Sequence, residues 1–223
     1  MHTLAGKAFY GERQGEVLVN GDPVNLNEFS KVVGFVKQDD IMLREMTVGE
    51  TILFNARLRY DPRMTSLSPS EVSKALLDAL DLSHVTHTNI GDEKKRGISG
   101  GQRKRVNIGM EMAALPSLLF FDEPTSGLDP TSSMTVCQCL RDMAQCGIPV
   151  IAVIHQPRYE IFTMFHKVLL LAKGGKLVFY GSPNQALPYF EKELGIPCPQ
   201  HLNPPDFFMD VISGGKGSRL AHD

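Results

Sequence analysis

The chain has 223 residues, of which 42% are hydrophobic and 22% charged, with a formal net charge of -2. Those proportions exclude an intrinsically disordered chain, and a pI near 6.4 supplies no global positive field that would recruit nucleic acid. The longest apolar runs, around 118–121 and 168–172, fall far short of the roughly 20 residues that a membrane-spanning helix needs.

In chain order, 15–21 (GEVLVNG) and 32–36 (VVGFV) read as β-branched strands closed by turn residues. Thr47 followed by Glu50 has the spacing of a capping box, and Ile52, Leu53, Ala56 and Leu58 predict the apolar face of the helix behind it. Ser68-Pro69-Ser70-Glu71 opens a second helix, with Val72, Ala75, Leu76, Ala79 and Leu80 at helical spacing. A third helix is expected from Ser99 to about Ala114, with Val106, Met110, Ala113 and Ala114 on one face. Gly109 in its middle costs about 1 kcal/mol against Ala, which predicts a close packing neighbour. The basic groups Lys94-Lys95-Arg96 and Arg103-Lys104-Arg105 are read as solvated faces rather than a nucleic-acid patch.

From there strands and helices alternate: strand 118–122, helix 130–146, strand 149–155, a short helix and strand 167–172. A hairpin through Lys173-Gly174-Gly175 leads into KLVFYG, and helical tails follow at 183–194 and 204–212. Near-continuous apolar strands such as VIAVI imply a largely parallel α/β sheet covered on both faces. Four cysteines (Cys137, Cys139, Cys146, Cys198) have neither zinc spacing nor a disulfide framework and are expected as reduced thiols in cytosol. Met1 to Lys7 lacks the basic start and long apolar stretch of a secretory signal.

Two stretches carry the chemistry: ISGGQ at 98–102 and LLFFDEPTSGLD at 118–129. They resemble the signature and the Walker B strand of the ATPase domain of ABC transporters. Within that family ISGGQRKRVNIG, IHQPR at 154–158 and NPPDFFMDVISG at 203–214 are similar to subfamily G, the white or pigment-exporter type. The resemblance spans nearly the whole chain. It implies a P-loop NTPase-like (RecA-like) core from 1–36 and 115–223, with a helical subdomain at 37–114 that holds the Q-loop and the signature.

One part of the family pattern has no counterpart. The phosphate-binding loop reads G-x-x-x-x-G-K-[ST], and none of Gly6-Lys7, Gly175-Lys176 and Gly215-Lys216 fits it. The resemblance therefore leads to the expectation that the sequence is truncated, starting inside the helix after that loop, with the first strands missing.

In open α/β sheets ligands bind beyond the carboxyl ends of strands, where Asp122-Glu123 and His155 follow apolar runs. Asp122 has the hard oxygen that Mg²⁺ prefers. The resemblance gives Glu123 the task of orienting or deprotonating the attacking water, and His155 that of contacting the γ-phosphate of ATP. Gln38, in VKQDD, matches the Q-loop glutamine that reaches Mg²⁺ and the water. Ser99, Gly100, Gly101 and Gln102 start a helix, where free N–H groups and the positive dipole end favour an anion. In the family that start serves the ATP held by a second ATPase domain, so dimerisation completes the site. Asp129 before Pro130 suits an N-cap with Pro at the first helical position, and within SGLD it also matches the D-loop.

The reading is thus a membrane-associated ATPase domain facing the cytosol, partnered by a second such domain and by a transmembrane domain, and not by nucleic acid. Its cargo is expected to be lipid-like or hydrophobic. Two other readings stay open at this level: a non-transport ABC ATPase, and a catalytically incomplete partner of another ATPase domain.

Overall fold

Asn20 and Gly21, at φ 55° and 92°, turn the chain back within GEVLVNG, so the first strand is shorter than expected. Asn-Gly is the two-residue loop that matches strand twist in a hairpin, and it pairs β1 (Leu18–Val19) antiparallel with β2 (Asp22–Pro23). The structure, a computed structural model, describes residues 1–7, 14–24, 32–92 and 95–214. Lys94, of the first basic group, lies outside them. The chain separates into two units, Met1–Ile154 and His155–Asp223.

In the first unit β3 (Val33–Val36), β4 (Leu118–Asp122) and β5 (Val150–Val153) form a parallel sheet in that order. The period of two sends Val36, Leu119 and Phe121 into the main core and Val33, Phe35 and Phe120 to the opposite face, against Ala5. Burial on both faces therefore holds for β3 and β4. It fails for β5, where Val150 and Ala152 pack on the core while Ile151 and Val153 are 42% and 44% exposed.

Three helices cover the main core: α1 (Val48–Arg59), α2 (Pro69–Ala79) and α3 (Gly100–Met112). Capping boxes begin each one, at Thr47 with Glu50, Ser68 with Glu71, and Ser99 with Gln102. On α1 the buried set is Val48, Thr51, Ile52, Asn55 and Ala56, and Leu58 is 71% exposed. Six residues beyond Ile52, Leu58 has rotated out of the stripe; it joins Phe54, four residues earlier, on an exposed apolar face. Gly109 has the neighbour its cost implied, since a Cβ there would stand 3.0 Å from both Ile52 Cδ1 and Leu80 Cδ1. Arg59 of α1 closes this block with a bidentate pair to Glu111 of α3, at 3.1 and 3.2 Å. Finally α4 (Pro130–Gln145) buries Val136, Cys139, Leu140 and Met143 in the same core. All four cysteines are free thiols, and burial pushes Cys137 up to about 12.

The second unit contains α5 (Tyr159–Phe162), an antiparallel hairpin of β6 (Val168–Leu171) and β7 (Leu177–Gly181), α6 (Pro183–Pro188) and α7 (Pro204–Ile212). The expected helix 183–194 is broken at Pro188, which has no N–H to donate; a π-helical turn, Tyr189–Glu193, continues the chain. Its core is aromatic: Phe162, Phe179, Phe190, Phe207 and Phe208, with Phe190 stacked on Phe208 at 4.7 Å. No helix among the described residues is long and apolar enough to cross a membrane.

Ile52→Ala removes a fully buried side chain from α1 and is expected to cost about 2–5 kcal/mol, whereas Leu58→Ala should stay within about 0.5 kcal/mol. Urea unfolding of the two variants checks the assignment of the helix face.

Candidate functional site

Parallel pairing aligns Val36 with Phe121, so two residues further on Gln38 comes level with Glu123. Their side chains meet: Gln38 Nε2 donates to Glu123 Oε2 at 3.0 Å and to Ser126 Oγ at 3.4 Å. Glu123 itself has φ 47°, a left-handed conformation that costs a residue with a side chain of order 1–3 kcal/mol. Two backbone hydrogen bonds hold it there, from Glu123 N to Val153 O at 3.0 Å and from Ser126 N to Glu123 O at 3.1 Å. The turn lifts the carboxylate off the end of β4 toward Gln38. Asp122, one residue earlier, stands 3.4 Å from His2 Nε2, whose ring lies 4.8 Å from that of Phe35.

A second cluster joins two helix starts. Ser99 Oγ accepts from Gln102 N at 3.2 Å, and Gln102 Oε1 accepts from Ser99 N at 2.9 Å. The Gln102 amide also donates to His84 Nε2 at 3.3 Å. Gly101 has a packing reason beyond access to an anion: a Cβ there would lie 2.8 Å from both Cβ and Oγ of Ser132 on α4. Gly100 is exposed, with Leu128 the nearest neighbour to an added Cβ, at 3.4 Å. Asp129 caps α4 by accepting from the backbone N–H groups of Thr131 and Ser132, each at 3.0 Å. Hydrogen bonds from the Ser132 side chain, then from backbone N–H groups, hold its carboxyl below the ordinary aspartate range.

Thus Gln38 and Glu123 meet directly, with Asp122 beside them, while Ser99–Gln102 and Asp129 open neighbouring helices. His155 is exposed and is the first residue of the second unit. The geometry adds Ser126 and Lys104 to the expected residues. Ser126 lay inside the motif stretch without a separate signal. Lys104 was misread as part of a solvated basic face: it is 2% exposed, and Arg105 beside it is buried as well. A charge run on a helix carries no label for the face that packs inward.

The donor set suits a cation that arrives with phosphates attached. Mg²⁺ takes one or two protein oxygens and completes its shell with water and phosphate, and Asp122 and Gln38 are hard oxygen donors at one strand edge. Among the described residues no group of three or more His, Cys, Asp or Glu side chains could hold a metal by itself.

Comparison with known proteins gives two family matches. Residues 2–126 match the ABC transporter model, and residues 155–220 match a model described as ABC-2 type transporter, which begins where the second unit does. The chain is 43% identical over 212 residues, 95% of its length, to ABC transporter G family member 28 of Arabidopsis thaliana. It is 41% identical over 214 residues, 96% of its length, to ABC transporter G family member 25 of Oryza sativa subsp. japonica. Against the broad substrate specificity ATP-binding cassette transporter ABCG2 of Rattus norvegicus it is 44% identical over 200 residues, 90% of its length. It spans only 19%, 21% and 30% of those relatives' own lengths.

Three carboxyls that cap helices, Glu50, Glu71 and Asp129, all bind their proton less readily in the fold: the Thr47 backbone N–H, the Ser68 hydroxyl and the Ser132 side chain, respectively, are the leading causes. Their stabilisation is complete above the unfolded carboxylate values of about 4 and disappears as pH falls through the lower folded values. Urea midpoints measured from pH 7 to pH 3 are expected to fall in that acid window, and Asp129→Ala should reduce the fall.

Proposed function

This chain belongs to the ABC transporter family, with relatives in its G group, and from that premise we propose that it is the ATP-binding and ATP-hydrolysing domain of a G-type exporter that moves a lipid-like or hydrophobic substrate across a membrane. The observation that carries the reading is the meeting of Gln38 with Glu123 at the carboxyl edge of the parallel sheet, one residue from Asp122.

In this reading Glu123 is the general base that orients and deprotonates the attacking water. Gln38 fixes the carboxylate and the water, and His155 contacts the γ-phosphate. Asp122 and the side-chain Oε1 of Gln38 would hold Mg²⁺, which when bound would neutralise charge on the phosphates. Proton transfer by a positioned carboxylate accounts for roughly 10²- to 10⁴-fold in rate. The Ser99 hydroxyl, the N–H groups of Gly100 and Gly101 and the Gln102 side chain bind the phosphates of ATP carried by a second copy or a related domain, and Asp129 communicates across that boundary while capping α4. Supporting a shared site, the Ser99–Gln102 start bonds, among the described residues, to its own turn and to His84.

The core formed by 1–36 and 115–223 then does the hydrolysis, and the helical block at 37–114 passes motion to a membrane domain. The exposed apolar face of α1, with Phe54 54% and Leu58 71% accessible, supports a docking role for that block. The domain faces the cytosol, where ATP is available.

The test joins a relative's phosphate-binding segment to this sequence and measures ATP turnover in Glu123→Gln. Turnover is expected to fall by about 10²-fold or more while ATP remains bound. Turnover comparable with wild type would remove Glu123 from the base role.

A further inference from the structure

We infer that Lys104, on the inner side of α3, is a positioning residue that sets Gln38, and through it Glu123, in place. The proposal rests on the reading of Glu123 as the base.

Lysine is almost never fully buried unless paired, and Lys104 is both. Its ammonium is 2.7 Å from Asp40 Oδ1, donates to the Gln38 carbonyl oxygen at 2.7 Å, and reaches the Lys37 carbonyl oxygen at 3.5 Å. Three donors on a compact cation thus meet three oxygens of one short segment. One turn along α3, Asn107 Nδ2 donates to the same Asp40 oxygen at 2.9 Å, so the segment is held at two points of the helix. Arg44 Nη2 adds a bond to the Asp40 carbonyl oxygen at 3.2 Å.

These contacts matter because residues 37–40 belong to neither strand nor helix. No ladder fixes their carbonyls, and side chains of α3 take over that task. With its carbonyl drawn to Lys104, Gln38 extends its amide to Glu123 and Ser126. A continuous set of contacts therefore runs from α3, whose first turn is Ser99–Gln102, through Lys104 and the Gln38 backbone to the Glu123 carboxylate. A displacement of α3 carries Gln38 with it.

The experiment follows the side-chain amide resonance of Gln38 in ¹⁵N-labelled chain. In wild type that resonance is expected away from the shift of a free side-chain amide, and Glu123→Gln moves it, which identifies the carboxylate contact as the source of the displacement. Lys104→Met should release Gln38, giving the shift of a free side-chain amide. Because that variant leaves the half-buried Asp40 carboxylate without its cation, Lys104→Met/Asp40→Asn provides a folded alternative in which Asn107 keeps its acceptor. A folded variant that retains the wild-type Gln38 signal overturns the proposal. In the protein that carries a phosphate-binding segment, the same variants should lower kcat about tenfold or more with KM for ATP within about threefold, the signature of a transition-state effect. A change in KM alone overturns it too. An active Glu123→Gln protein would instead remove the base and leave the Lys104 contacts standing, so the two failures are separable.

Discussion

Three strands run parallel in one register, and that register decides which side chains can meet at their ends. Val36 opposite Phe121 puts Gln38 opposite Glu123, and Asp122 opposite Val153 lets the next backbone N–H bond to the Val153 carbonyl. A slip of one residue would send Phe120 and Phe121 to the wrong faces of the sheet and carry the two carboxylates with them. Burial of these aromatic side chains is therefore what sets Gln38 level with Glu123.

Around that edge the fold accepts local costs. Glu123 sits in a left-handed conformation, Lys104 is taken out of water, and the first turn of α3 approaches α4 so closely that Gly101 leaves no room for a Cβ against Ser132. Each cost fixes local geometry. The strained turn raises a carboxylate, the buried cation orients the carbonyls of an irregular segment, and the glycine brings two helix starts side by side. Helix α3 links them, since it carries the anion-suited start at one end and the inward lysine a turn later.

Much of this was legible in residue order. A capping pair located the start of α1, the Ser68-Pro69-Ser70-Glu71 stretch that of α2 and the SGG stretch that of α3, and the LLFFDE run located β4 and its acids, because helix starts and buried strands are local signals. Leu58 and Lys104 were misread for a shared reason: which way a helix face turns depends on what packs against it, and that is tertiary information. The exposed side of β5 is a further instance, since VIAVI has the composition of a strand buried twice, yet Ile151 and Val153 are open. Asn20-Gly21 could have been read as a hairpin from the dipeptide alone, and the β-branched residues before it drew attention instead. The contact between Gln38 and Glu123 joins residues 85 apart, and only the sheet register reveals it.

In the proposed dimer the Ser99–Gln102 start and the carboxylate edge face each other across two copies. Disulfide trapping tests this most directly, with Ser99→Cys on one copy and Ser126→Cys on another, on a background lacking the four native cysteines and carrying a phosphate-binding segment with Glu123→Gln. ATP is expected to produce a cross-link between copies that is absent without nucleotide. An ATP-bound protein that cross-links only within one copy, or not at all, would contradict the account.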